Sequence, residues 1–283
     1  MPAREIVYDT GEYKRVYYAP MRRAARGRCG KKLGMTSEVQ ARYNAKRAEA
    51  LAADILNLNF TPADLAFHLT FRSENMPDTF DEGKHEVDKL MRRIKYRWSK
   101  VTGRPGREYK YFVVPEPTST GRLHFHCVIS GGLDRDVVER LWPHGYANAD
   151  RLRFDYNGLE GLTHYILKTP GYAKKRWYCS QNLVRPEPRQ NDYRVRVGDV
   201  NALAEGALGG TIPFELMEKL YPGWTLIPDS IEVAAPFCGT TSTGEKIDIG
   251  GRKGCPFVTF RLYRTDSPWF KWMEKQKWRS ILS

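Results

Sequence analysis

The run Arg122-Leu-His-Phe-His-Cys-Val-Ile129 constrains this chain more than any other feature. Successive side chains of an extended strand face opposite ways, so Leu123, Phe125, Cys127 and Ile129 can enter a core while His124 and His126 share the other face. Two steps of strand rise set those histidines roughly 6–7 Å apart at Cα. Such a strand needs partners. YKYFVVP (109–115) reads as one, joined to it through the turn-rich EPTSTG, and LAFHLTF (65–71) reads as another.

Helical spacing surrounds these strands. Val87, Leu90, Met91, Ile94 and Trp98 fall on one face of a helix over 81–100, stopped by the Gly and Pro of 102–106. Over 36–58, Ser37 with Gln40 forms a candidate capping box before Val39, Tyr43, Ala50, Leu51, Ile55 and Leu58. A short helix at 134–141, a strand within 145–154 and a helix over 158–169 complete the series. The order strand, helix, strand, strand, helix, strand, helix matches a split β-α-β arrangement. It predicts an α+β fold: an antiparallel sheet with helices packed on one face, and N- and C-terminal extensions.

Three regions are expected. Residues 1–60 comprise a basic arm and an amphipathic helix, with 1–35 irregular and RRAARGRCGKK (22–32) nearly all basic or small. Residues 61–183 form the central domain. RPEPRQND, with two prolines, marks a boundary before an accessory region at 184–283, which holds a helical candidate at 213–220 and a strand-like CPFVTFRLY (255–263).

Composition narrows the function classes. No apolar run reaches 18 residues and MPAREIVYDT has no apolar stretch to act as a signal, so a soluble cytoplasmic protein without membrane partners is expected. Five cysteines without a CxxC pair indicate neither a zinc ribbon nor a disulfide framework. Across 283 residues, 46 Lys+Arg against 33 Asp+Glu give +13, the electrostatic footprint of a protein that meets phosphate.

Two constellations could carry chemistry. His124 and His126 can converge on one cation, and Glu116, at the end of the preceding strand, approaches the same face if the two strands form a hairpin. Two imidazoles and a carboxylate leave open positions on a divalent ion that could polarise a phosphoryl oxygen. Alone, the histidines read as readily as two solvent-facing residues, and Glu116 as a surface turn residue. In the helix over 158–169, Leu159, Leu162 and Ile166 form the apolar stripe, with Tyr165 on its flank and Lys168 three residues on. A phenol beside an ammonium group and a polarised phosphate can attack phosphorus, although a half-buried tyrosine is the default reading of Tyr-x-x-Lys. Tyr172 and Lys175 repeat the spacing, but Pro170 and Gly171 end the helix before them.

Taken in order, FHLTF (67–71), GRLHFHCVIS (121–130), LWPHGYA (141–147), THYILK (163–168) and RWYCSQNL (176–183) resemble the motifs of the HUH endonucleases. The likeness is to rolling-circle replication initiators of small single-stranded DNA bacteriophages and of plasmids. It implies His124, His126 and Glu116 as ligands of Mg²⁺ or Mn²⁺, Tyr165 as nucleophile, and Lys168 as the residue that positions or neutralises phosphate. It further implies cleavage at a single-stranded DNA origin, a 5′-phosphotyrosine link, a 3′-hydroxyl for a host polymerase and a later rejoining step. Position 169 is threonine where some initiators carry a second tyrosine one helical turn on, so Tyr172 serves as a second nucleophile only where the Pro170-Gly171 turn folds it back. GTTSTGEK (239–246) has Glu245 where a phosphate loop requires Lys, so unwinding falls to a host helicase. A transposase or relaxase, and a non-catalytic single-strand binder, are the competing readings.

The expected DNA surface is read from charge and aromatics. Residues 89–110 hold nine Lys/Arg against Glu108, with Arg92, Arg93, Lys95, Arg97 and Lys100 interleaved with Tyr96 and Trp98. Cations can track phosphates while rings accept bases. Tyr172, Lys174 and Lys175 extend the set. The tail SPWFKWMEKQKWRSILS shares this character, and Trp269 with Trp272 read as packing residues.

Overall fold

The computed structural model describes residues 1–21, 38–117, 122–168, 176–234, 238–240, 246–248 and 255–267. In chain order the first elements are β1 (Pro2–Asp9), β2 (Tyr13–Ala19), α1 (Glu38–Asn59), β3 (Leu65–Thr70) and α2 (Phe80–Thr102). There follow β4 (Tyr111–Pro117), β5 (Leu123–Ile129), α3 (Arg135–Arg140), β6 (Ala147–Arg151), α4 (Glu160–Leu167) and β7 (Tyr178–Cys179). The rest are β8 (Pro188–Arg196), α5 (Val197–Ala207), α6 (Phe214–Leu220), β9 (Trp224–Ala234), β10 (Cys238–Thr240), β11 (Lys246–Asp248) and β12 (Phe257–Arg264). They divide between two compact units: Met1–Tyr43 with Asp155–Asn157 and Pro186–Ser283, and Asn44–Phe154 with Gly158–Arg185. The class is the expected one, α+β with antiparallel sheets.

In the unit built on Asn44–Phe154 and Gly158–Arg185, five antiparallel strands run in the order β6-β3-β5-β4-β7. One face carries Leu65, Phe67, Leu69, Val113, Phe125, Cys127 and Ile129, all buried against α2 and Val138 of α3. α2 forms because its local signals agree. Thr79 caps it by accepting the Glu82 N–H at 3.2 Å, acids occupy its first turn, and Gly103 ends it at φ +69°. Its stripe is the one read from spacing: Val87, Leu90, Met91, Ile94 and Trp98 are all buried. Each such side chain contributes about 1.5–3 kcal/mol of transfer free energy against the entropy of ordering the helix.

Helical cover is fuller than the expected single layer. α1, through Ala52, Ile55 and Leu56, and α4, through Ile166 and Leu167, bury Phe112, Val114 and Val128 on the opposite face. That cover is partial. Cross-strand rows on this face run Ala66–Val128–Phe112, then His68–His126–Val114, then Thr70–His124–Glu116, so the face passes from apolar to polar along the strands.

The other unit is a sheet of order β8-β1-β2-β12-β9, whose core includes Val7, Val16, Tyr18, Phe260 and Leu262 with Val200 and Leu203 of α5. Residues 1–19, expected as irregular, are therefore two paired strands. Inward-facing charge hides their alternation: Glu5 is 2% exposed and Arg15 is 7% exposed. Glu5 is accommodated by the Tyr221 hydroxyl, which donates to it, and by Arg194 at 3.5 Å.

Candidate active site

Two neighbouring strands bring three imidazoles together. His68 of β3 is the register partner of His126, and His124 lies two residues along β5. The His68 ring centroid is 4.6 Å from that of His126 and 5.5 Å from that of His124. β4 adds Glu116 opposite His124, and its carboxylate lies 2.6 Å from Nε2 of His126. The hairpin expected between the second and third strands of this sheet thus forms, and it carries Glu116 onto the histidine face.

Packing sets the protonation of His68 and His124. Burial, reinforced by the two neighbouring imidazoles, lowers His68 to about 4. Burial also lowers His124, with Glu116 opposing the shift. Both rings are neutral at pH 7, the form that donates a lone pair to a cation. Neutral imidazoles and a carboxylate on one face are a donor set suited to a divalent ion. As they stand, however, the Glu116 carboxylate is engaged with His126, and among the described residues no three His, Cys, Asp or Glu side chains are placed to hold a metal ion.

α4 supplies the remaining group. Ile166 and Leu167 are buried, Thr163 returns its hydroxyl to the Leu159 carbonyl at 2.7 Å, and Tyr165 is left half exposed. Its ring stands edge-on to His126, with centroids 5.6 Å apart and planes at 81°. Lys168, the helix C-cap, places Nζ 4.4 Å from the centre of the Tyr165 ring. Tyr165, Lys168, His124, His126 and Glu116 are therefore neighbours, and β3 adds His68. The sequence reading passed over His68. The signal was available, because strand alternation in LAFHLTF puts His68 opposite Phe67 and Leu69.

The proposed DNA surface divides differently. Arg92, Arg93, Lys95, Arg97 and Lys100 are exposed on the outer side of α2, the helix that covers the sheet face opposite the histidines. Trp98 does not belong to that surface. It is 1% exposed and its indole N–H donates to the Gly131 carbonyl at 2.6 Å, so the stripe that anchors the helix claims the ring that was expected to stack on a base. Tyr96, 68% exposed, is the aromatic that this helix presents outward. Tyr172, Lys174, Lys175, Trp269 and Trp272 lie outside the described residues.

Comparison with known proteins adds one likeness. Residues 64–170 match the family model REP_ORF2-G2P, replication-associated protein ORF2/G2P, over a span that includes β3, β4, β5, α4 and every residue of the cluster up to Lys168. No curated protein and no solved structure matches the chain. Among the described residues no helix is long and apolar enough to cross a membrane.

Proposed function

We propose that this protein initiates replication by cutting one DNA strand at an origin with Tyr165 and later rejoining it. The observation that carries this reading is the placement of a half-exposed tyrosine edge-on to His126, on a sheet face that also holds His68, His124 and Glu116. The match to replication-associated proteins over the same residues supports it.

The step balances as a phosphoryl transfer. The Tyr165 phenolic oxygen forms a bond to phosphorus as the bond from phosphorus to the 3′ oxygen breaks; the phenol loses its proton and the departing oxygen gains one. The products are a 5′-phosphotyrosine and a 3′-hydroxyl, and the retained phosphodiester energy lets a strand end reverse the reaction without a nucleotide cofactor. His124 and His126, with Glu116 as third donor, would hold Mg²⁺ or Mn²⁺, which when bound withdraws charge from a phosphoryl oxygen. Lys168, close to the tyrosine ring, neutralises the phosphate drawn to it. The exposed 3′-hydroxyl would prime a host polymerase, with a host helicase opening the duplex ahead.

A labelled single-stranded origin oligonucleotide incubated with Mg²⁺ or Mn²⁺ tests this. The protein should form a denaturant-resistant adduct that maps to the peptide containing Tyr165. Tyr165→Phe should abolish the adduct and Tyr172→Phe should retain the first cut; the reverse pattern overturns the assignment. The double variant His124→Ala/His126→Ala should keep DNA binding while losing both cleavage and calorimetric Mn²⁺ binding. Undiminished Mn²⁺ binding would remove these histidines from the site.

A further inference from the structure

A groove of about 480 Å³ opens at the polar end of the histidine face, within the ~300–1,000 Å³ common for ligand sites. Its walls include Thr70, Arg72, Arg122, Gly145 and Tyr146. We propose that it is a nucleotide subsite, in which Tyr146 stacks a base of single-stranded DNA next to the scissile phosphate while Arg72 and Arg122 hold the adjoining backbone phosphates. The inference rests on the strand-cutting reading above and extends it to the substrate contacts.

Register places the groove beside the chemistry. Thr70 is the partner of His124 on one side, and on the other its N–H donates to the Tyr146 carbonyl at 2.9 Å. One row across the sheet therefore reads Tyr146, Thr70, His124, Glu116. Neighbouring strands lie ~4.8 Å apart, so about 10 Å separates the backbone of Tyr146 from that of His124. Arg72 and Arg122 stand two residues beyond Thr70 and His124 on their respective chains. Strand parity directs them to the same face.

The wall is built rigidly. The Arg72 N–H donates to the His144 carbonyl at 2.8 Å, and the Trp142 indole N–H donates to the Thr70 carbonyl at 2.8 Å, with Phe71 edge-on to Trp142 at 5.0 Å. Gly145 permits this approach, since a Cβ there would run into the Thr70 carbonyl oxygen. The segment is thereby pinned to the sheet, yet Tyr146 remains 64% exposed. A large ring held on a fixed backbone and left in solvent suits stacking on any base. Arg122 reaches Ser73 Oγ at 3.3 Å, which keeps its guanidinium at the rim. Two arginines against Glu74 leave the groove positive by one charge.

The test measures fluorescence anisotropy of a labelled single-stranded oligothymidylate with the full-length protein in a salt series. Tyr146→Ala should weaken binding about 5- to 150-fold, the loss of one stacked base, and Tyr146→Phe should restore it. Arg72→Ala and Arg122→Ala should each reduce the log–log salt slope by about 0.7. Wild-type affinity in Tyr146→Ala, or equal losses in the Ala and Phe variants, would overturn the subsite. The same preparations are run in the adduct assay. Tyr146-dependent binding by a wild-type protein that forms no adduct removes the cutting reading and keeps the subsite. A Tyr165 adduct with binding indifferent to Tyr146 does the opposite.

Discussion

Trp98 and Tyr165 are both aromatic residues on helices beside positive charge, and their surroundings assign them opposite tasks. Trp98 fills the space under α2, gives its indole N–H to Gly131 and is 1% exposed. Truncating it leaves a cavity and an unpaired carbonyl, so Trp98→Ala should lower stability by about 3–5 kcal/mol in urea unfolding. Trp98→Phe, which keeps most of the volume, should leave oligonucleotide affinity unchanged; weaker binding at wild-type stability would return this residue to the DNA surface. Tyr165 is half exposed, so Tyr165→Phe should move stability by no more than about 0.5 kcal/mol. Loss of the adduct in that variant then reports chemistry rather than folding.

At the scale of elements, the same energetic terms that form α2 and the site strands also made them readable. α2 carries its cap, its stripe and its stop in its own residues, and Thr79→Ala should cost it about 1 kcal/mol in thermal unfolding, the value of one capping bond. Gly145→Ala should cost more. No rotamer relieves a Cβ directed at the Thr70 carbonyl, so β3 and the 144–146 segment must separate, and the variant should unfold earlier and lose affinity for oligothymidylate together. Stability loss without any loss of affinity would separate this backbone approach from the groove. Where folding depends on distant partners, the sequence was mute. β1 and β2 look irregular because Glu5 and Arg15 stand at inward positions, and Glu5 is tolerated through Tyr221, 216 residues away, and Arg194, 189 residues away. The prolines and charges of RPEPRQND (185–192) mark a boundary in the sequence, yet Pro188–Arg196 forms β8 through its pairing with β1. The shared face of His124 and His126 and the helix flank that bears Tyr165 are legible because strand parity and helix spacing are local rules, whereas the groove wall at 144–146 depends on a long-range backbone approach to β3.

At the scale of the whole molecule, a net charge of +13 means that phosphate attraction acts before any site is engaged. The cations are not all placed to serve the same purpose. Within the unit that bears the histidines, Arg92, Arg93, Lys95, Arg97 and Lys100 lie beyond α2 on the far side of the sheet, while Lys168, Arg72 and Arg122 belong to the site face and its rim. A single strand threaded over the histidines reaches the second group first, so the two groups should separate in a salt series. Replacing Arg93 and Arg97 by Gln should weaken binding to every oligonucleotide alike, in proportion to the charge removed, and should leave the position of the cut unchanged. If Arg122 holds the phosphate next to the one that Tyr165 attacks, as proposed, replacing it by Gln should depress adduct yield as well as affinity. If the Arg93/Arg97 pair instead abolished cutting at low salt, where overall attraction is strongest, the DNA path would have to cross the outer face of α2, and the division of labour between the two faces of this sheet would fail.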